Sequence, residues 1–489
     1  MSSDDSSQRE ITDADGDPDV GLTLEVNPTG PSERAKQLCH RVVRAIVARG
    51  PKGWVRLDAV FALTSTAESA QVYFFDGEQR AVRVFPGDEV LSLVRDHRRL
   101  SAELGDGPWW RLLLTSRADG TIEVDDDYGD EPFPDDQLFP AEVYAADLAV
   151  FPRKALPVWL AAYIRHGDRQ SRGARPAARQ ARADRAEGVR AVRGDGIFPA
   201  LPVMWGRWAV MAAAFTAVGS RWGPRILPAL GLFESPRRSG ATLYMLPGGR
   251  AVLSGGVWNA PELDAAYNGG AELARLYAGA PEWVANPVLN SRARTGLLSF
   301  CYWWEAGGWH HGESPSPDRL GDAIPGIRDA DTVVEVICDL FAERPSDRQR
   351  EAVSSLVAAA ETGAVTRPTL ERVFAGLDAL DGAFYQLILA GVAVSVPEPM
   401  AADDAVAIVR RFLSDRDPGH RVGELRAERI GVGWTVYAQT VPGELAIGRP
   451  VFYVADDGVL EQSSSSVAAA VFVADFERRF RRRHGAENA

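Results

Sequence analysis

A strand-turn-strand pattern between positions 109 and 127 is the clearest periodic feature of the sequence. Apolar residues stand at every second position of two short runs, so they would share one buried face of a hairpin. These residues are Trp110, Leu112, Leu114, Ile122 and Val124. Asp119-Gly120 lies between the runs and favours a tight turn, because glycine adopts a positive φ without strain. The pattern predicts a β-hairpin whose register is fixed by burial.

Helical and strand-like spacing alternate around this hairpin. The predicted helices cover 33–49, 88–104 and 141–149. The predicted strands cover 55–63, 69–76 and 80–85. Together with the hairpin, these elements predict one α+β domain over residues 33–167.

The region 196–343 shows a similar order of elements. A predicted helix over 205–218 takes the place of the helix over 33–49, and the strand pair around Pro247-Gly248-Gly249 echoes the pair around Asp76-Gly77. A second hairpin follows, with a turn at Gly307-Gly308. We therefore predict a second α+β domain that is a possible diverged repeat of the first.

Four further segments complete the predicted organisation. Residues 1–32 are rich in Ser, Asp, Gly and Pro and predict a disordered tail. Residues 168–195 are rich in Arg and Ala without an apolar face and predict a linker, whereas 344–397 predicts a helical spacer. Residues 398–485 predict a helix, an antiparallel sheet and a closing helix. The expected fold class is α+β, with three units of antiparallel sheet flanked by helices.

The charge balance bears on the class of partner. A formal net charge of -13 argues against nucleic acid as the main partner and suits a partner with a basic surface. The arginine-rich run 168–195 could bind nucleic acid, but no aromatic residues are interleaved with it for stacking, so a solvated spacer is the preferred interpretation.

Cysteine usage and hydropathy bear on location. Cys39, Cys301 and Cys338 are few, far apart and odd in number, which favours buried thiols in a reducing compartment. The most apolar windows, 204–218 and 384–396, are shorter than the roughly 20 residues that span a bilayer. The first thirty residues lack the apolar core of a signal peptide. These features predict a cytoplasmic protein without a membrane partner.

Seven carboxylates crowd the end of the second hairpin strand and the loop after it. They are Asp125, Asp126, Asp127, Asp130, Glu131, Asp135 and Asp136. A solvated loop that improves solubility explains them as well as a binding surface does. The run lacks the residue order of a calcium-binding EF-hand loop, so no metal is predicted. As a binding surface, these carboxylates would face a basic cleft of another protein and speed association. Nucleases have such clefts, which makes a nuclease a candidate target.

The second hairpin carries another candidate surface. Trp303 and Trp309 could stack on a small molecule, although a position in the core and at the rim of a protein interface is the preferred interpretation. His310 and His311 adjoin each other on a strand, so their rings point to opposite faces and cannot share a metal. No set of residues is spaced for catalysis, and the glycine pairs lack a phosphate-binding pattern. We therefore predict no catalytic residues and no cofactor.

Two parts of the sequence resemble bacterial immunity proteins. The run Trp434-Thr-Val-Tyr-Ala-Gln, with the later Pro450-Val-Phe-Tyr-Val-Ala-Asp-Asp-Gly, resembles the YrhB-domain immunity family over about 400–485. The run Asp119-Gly-Thr-Ile-Glu-Val-Asp-Asp-Asp-Tyr, with Phe151-Pro-Arg, resembles the YezG-like immunity proteins. Both families belong to polymorphic toxin systems, in which a cytoplasmic protein binds and blocks a toxin. The resemblance implies a non-catalytic inhibitor and does not identify the toxin.

The resulting hypothesis is a multi-domain immunity protein that neutralises one or more protein toxins with a basic surface. One alternative is a scaffold or regulatory docking protein of a toxin, secretion or defence locus. The other is an enzyme of unknown class that uses the region from Trp303 to His311.

Overall fold

The chain folds into α-helices and antiparallel β-sheets. The computed structural model describes residues 31–105, 107–194, 196–341, 344–374, 376–377, 379–394, 397, 399–416, 424–438 and 449–484. Within these ranges there are thirteen α-helices and three antiparallel sheets, of five, seven and four strands. The predicted α+β class is confirmed. The predicted tail at 1–32 lies almost wholly outside the described residues.

The chain divides into two units between Ala155 and Leu156. The elements of the first unit are α1 (Pro31–Val47), β1 (Arg56–Leu63), β2 (Glu68–Phe75), β3 (Ala81–Arg83), α2 (Gly87–Ser101), β4 (Arg111–Arg117), β5 (Ile122–Asp127) and α3 (Ala141–Val150). The strand order is β3-β2-β1-β4-β5, so β3 and β5 are the edges of the sheet.

The core of the first unit forms where α1 and α2 cover one face of this sheet. Val42 and Ile46 of α1 and Val90 and Val94 of α2 are buried there, as their helical spacing predicts. The inward residues of β4 are buried in the predicted alternation, but Val124 of β5 remains 45% exposed. The prediction that Val124 is buried is therefore wrong, because β5 lies at the sheet edge.

The second unit begins with α4 and contains the two other sheets. Its first elements are α4 (Val158–Arg165), α5 (Ala174–Glu187), β6 (Val192–Arg193), α6 (Leu201–Ala217), β7 (Arg225–Leu227), β8 (Leu230–Glu234), β9 (Gly240–Leu246), β10 (Arg250–Gly256), α7 (Pro261–Tyr267), β11 (Phe300–Glu305) and β12 (Gly308–His311). They are followed by α8 (Ala330–Asp339), α9 (Asp347–Glu361), α10 (Arg367–Phe374), α11 (Leu380–Leu389), α12 (Ala402–Arg416), β13 (Leu425–Ile430), β14 (Gly433–Ala438), β15 (Pro450–Ala455), β16 (Leu460–Ser464) and α13 (Ala469–Arg483).

The first boundary predicted from the sequence lies about twelve residues too late. Helix α4 packs against α7, and the side chain of Asn268 bonds both backbone groups of Leu156, at 3.2 Å to its N–H and 2.9 Å to its carbonyl oxygen. The segment 156–167 therefore belongs to the second unit.

The segment 168–195 is not a linker. Its helix α5 buries Ala177 and Ala181, and β6 pairs with β12 at the edge of the seven-stranded sheet. The sequence pattern hid this packing because the buried side chains are alanines, which form no recognisable apolar stripe.

The segment 344–397 is not a spacer either. Helices α9 and α11 pack against α6, and their apolar residues continue the largest core cluster of the chain. Helix α6 is buried on almost every side because it packs against both the seven-stranded sheet and these helices.

The two larger sheets are connected differently. In the seven-stranded sheet the order is β6-β12-β11-β10-β9-β8-β7, so the strand after α7 pairs with β10. In the first unit the strand after α2 is β4, and it pairs with β1. It does not pair with β3, the strand that precedes α2. An internal repeat would require the same strand pairing in both sheets, and the two sheets are paired differently.

The four-stranded sheet matches the predicted succession of elements at the end of the chain. Helix α12 covers one face through Ala405 and Val409, and α13 covers the other through Phe476 and Phe480. The strand order β13-β14-β15-β16 is a simple meander.

Candidate protein-binding site

The carboxylates singled out in the sequence lie along the edge strand β5 and the loop that follows it. Five of them expose their side chains to solvent: Asp125, Asp130, Glu131, Asp135 and Asp136. Asp136 also accepts a hydrogen bond from Gln71 Nε2 at 2.9 Å. We call these five residues the acidic edge. The structure thus brings most of the predicted site residues together on one exposed border of the first unit.

Asp127 does not belong to this exposed set. Its Oδ2 accepts a hydrogen bond from Nε of Arg111 at 2.7 Å, and both side chains are largely buried. Arg111 also donates to Gln137 Oε1 at 2.5 Å, and its guanidinium lies 4.9 Å from the ring centroid of Phe133. Asp127 therefore ties the end of β5 to the loop and is not available to a partner.

The turn after β5 is fixed by the same carboxylate. Oδ1 of Asp127 accepts a hydrogen bond from the N–H of Gly129 at 2.7 Å. Gly129 has a φ of +85°, and a Cβ there would lie 3.1 Å from Cζ of Phe133. Glycine is required because any side chain would be strained and crowded. The acidic edge consequently stands on an ordered loop.

The side chain of Asp126 lies on the opposite face of the sheet from those of Asp125 and Asp127. It pairs directly with Leu112, whose side chain is fully buried, so the Asp126 side chain lies on the helix-covered face of the sheet. Its Oδ1 is buried and has no hydrogen-bond partner within the described ranges. Burial, and secondarily the neighbouring charge of Asp125, raises the pKa of Asp126 to about 6. The prediction that Asp126 contacts a partner from an exposed position is therefore wrong.

A buried ion pair that the sequence pattern did not reveal supports this region. Arg98 of α2 donates to Oδ2 of Asp147 at 2.7 Å and to the carbonyl oxygen of Trp109 at 3.1 Å. The other oxygen of Asp147 accepts from the N–H of Ser65 at 2.5 Å. No local sequence signal marks Arg98 as buried, since its partner lies 49 residues away.

Trp303 and Trp309 are core residues. Trp303 is 1% exposed and Trp309 is 2% exposed, on opposite faces of the seven-stranded sheet. The indole N–H of Trp309 donates to the carbonyl oxygen of Pro199 at 2.8 Å. The prediction that these two side chains bind a partner is therefore wrong, because neither reaches the surface.

The adjacent histidines lie on opposite faces, as predicted. His310 stacks on Trp303, with ring centroids 6.2 Å apart, whereas His311 lies 5.4 Å from Tyr302. Among the described residues, no group of three or more His, Cys, Asp or Glu side chains is placed to hold a metal ion. All three cysteines are buried as free thiols.

No family model and no curated protein matches the sequence. In the part of the chain that the structure describes, no helix combines the length and hydropathy needed to cross a membrane.

Proposed function

We propose that this protein binds and neutralises a protein toxin that has a basic surface, without catalysing a reaction. The acidic edge carries this proposal: five exposed carboxylates of one sign lie on the edge strand β5 and the loop that follows it. Complementary charge would speed encounter with a basic cleft and penalise association with acidic proteins.

The order of the loop adds to the proposal. Arg111 contacts Asp127, Gln137 and Phe133, so the loop is supported by side chains of its own unit. A partner would therefore spend little free energy on ordering it, which favours tight binding. A loop that served solubility alone would need no such framework.

The resemblance to YezG-like and YrhB-domain immunity proteins is consistent with this function. The succession of helix, four-stranded meander and helix at the end of the chain matches what the local sequence pattern predicted, and it leaves the resemblance itself a prediction. Nucleases remain candidate targets because their clefts are basic.

The test co-expresses the chain with each protein encoded by its neighbouring genes and measures growth and co-purification. We expect one such protein to be toxic alone and harmless with the intact chain. Replacement of Asp125, Asp130 and Asp135 with lysine should then slow association at least tenfold at low salt and weaken protection.

A matched variant distinguishes the effect of the acidic edge from the effect of net charge. Glu335, Asp339 and Glu351 are exposed carboxylates of the second unit, and their replacement with lysine changes the net charge equally. This variant should protect and associate as the wild type does. If both variants associate at the wild-type rate, the acidic edge is not the interface.

A further inference from the structure

Helix α5 carries a row of arginines on the face opposite its buried residues. At 100° per residue, Arg175, Arg179 and Arg182 fall within about 60° of one another, whereas Ala177 and Ala181 lie on the far side. Arg175, Arg179 and Arg182 are all exposed, and none has an ion pair among the described residues. We call these three residues, with Arg172 immediately before the helix, the arginine face.

The rest of the segment strengthens this local charge. Residues 165–193 contain nine arginines, no lysine and three carboxylates. One of the three, Asp184, is buried and accepts hydrogen bonds from Gly279 N–H at 3.0 Å and from Gln180 at 2.8 Å. The arginine face is therefore strongly positive on a chain whose net charge is negative.

An open cavity of about 270 Å³ adjoins the start of this helix. Arg169 and Arg172 line it, together with Tyr277, and the Arg172 guanidinium lies 5.4 Å from the ring centroid of Tyr277. Glu272 and Arg275 also line the cavity, and Arg275 forms an ion pair with Glu313 at 2.9 Å. The lining thus combines the guanidinium groups of Arg169 and Arg172 with the apolar residues Leu276 and Leu298, and the Arg169 guanidinium also donates to the carbonyl oxygens of Arg165 and His166.

We propose that the arginine face binds the phosphate backbone of single-stranded nucleic acid and that the cavity beside Arg172 receives one unstacked base. Arginine suits this role because its guanidinium fork contacts phosphate through two hydrogen bonds. The row from Arg175 to Arg182 extends about 10 Å along the helix. Such a row suits the repeating phosphates of a nucleic-acid backbone. Planar guanidinium groups also stack on bases.

This site goes beyond the proposed toxin binding and lies on the other unit of the chain. The net charge had argued against nucleic acid as a partner, but net charge does not report how charge is distributed over the surface. Tyr277 is only 6% exposed and its ring is covered by Arg172, so guanidinium groups, and not an aromatic side chain, would supply the stacking surface in the cavity.

The test measures fluorescence anisotropy of a labelled twelve-nucleotide oligothymidylate with the full-length chain over a salt series. The variant with Arg175, Arg179 and Arg182 replaced by glutamate should bind at least tenfold more weakly. Its slope of log K against log salt should fall by about 2, since each lost phosphate contact removes about 0.7 for single strands. The same three residues replaced by lysine should retain binding within about fivefold.

A matched control replaces Arg34, Arg41 and Arg44, which are exposed on α1, with glutamate. That variant should bind the oligonucleotide within twofold of the wild type, and circular dichroism should show all variants folded. Three results would overturn the proposal: no binding at 20 mM salt, equal losses in both glutamate variants, or displacement by polyglutamate as effective as by unlabelled oligonucleotide. Tighter binding of a duplex than of the single strand would overturn the assignment of a base to the cavity.

Discussion

Arg95 and Arg98 stand one turn apart on α2 and show how burial changes the role of an ion pair. Arg95 pairs with Glu68 at 2.7 Å on the surface, where solvent screens the interaction. Arg98 pairs with Asp147 at the same distance, but both side chains are buried. Removing one partner of the buried pair leaves an uncompensated charge in the core, so the two pairs should respond very differently to mutation.

Replacement of Asp147 with asparagine should lower the free energy of unfolding of the first unit by about 3 to 5 kcal/mol. Replacement of Glu68 with glutamine should lower it by less than about 1 kcal/mol. Hydrogen exchange of the α2 and β4 amides in the full-length chain measures both. Equal protection in the two variants would show that Arg98 and Asp147 are not buried as described.

Asp126 predicts a pH dependence with a definite sign. An aspartate in the unfolded chain titrates near 3.9, whereas burial raises the pKa of Asp126 to about 6. The folded state therefore holds the proton more tightly between about pH 4 and pH 6, and the free energy of unfolding falls as pH rises through this window.

Replacement of Asp126 with asparagine should remove this fall in the free energy of unfolding with rising pH. At pH 7.5 the variant should be more stable than the wild type, by on the order of 1 kcal/mol once partial exposure is allowed for. Below pH 4 the two proteins should be equally stable. Urea unfolding followed by exchange of the β4 and β5 amides tests this, with Asp130→Asn as the exposed control. A difference that persists at pH 3.5 would contradict the assignment to Asp126.

At the scale of elements, α6 shows why residues 344–397 belong to the second core. Gly206 allows close approach of α9, since a Cβ there would lie 2.3 Å from the carbonyl oxygen of Ala360. The backbone of α9 cannot yield without moving the helix, so the absence of a side chain sets the distance between the two helices.

Replacement of Gly206 with alanine should therefore destabilise the second unit by about 1 to 3 kcal/mol, as overpacking does in other cores. Gly77 provides the control, because nothing lies within 4 Å of a Cβ there and its φ is not positive. Gly77→Ala should be neutral or slightly stabilising. Thermal unfolding by calorimetry compares the two. An unchanged melting temperature for Gly206→Ala would mean that α6 and α9 are not in contact.

At the scale of the whole molecule, the division at Ala155 determines which parts can fold alone. The core of the first unit is formed entirely by residues before this point. The core around α6, in contrast, takes residues from 198 to 392. The limits 196–343 that the sequence predicted cut through this core.

A fragment of residues 31–155 should therefore unfold cooperatively, with the far-ultraviolet circular dichroism of a folded α+β protein. A fragment of residues 196–343 should expose apolar surface and aggregate, because it lacks β6 and helices α9 to α11. Cooperative unfolding of the fragment 196–343 would show that the later helices are dispensable.

The sequence by itself determined the elements whose side chains alternate or recur strongly. The hairpin from Arg111 to Asp127, the apolar stripes of α1 and α2 and the helix-meander-helix succession at the end of the chain follow from local periodicity, because burial of one face fixes that period. It also located the acidic edge, since exposed charge is visible in the composition of a single loop.

The tertiary structure alone decided which side chains are available. Trp303 and Trp309 are hidden because the sheet has packed neighbours on both faces, and Asp126 points inward because its strand register pairs it with Leu112. The packing of α5, the buried pair of Arg98 and Asp147 and the joining of α9 to α6 all depend on residues far apart in the chain. Local periodicity carries no information about such contacts, because they are fixed by which surfaces meet when the whole chain folds.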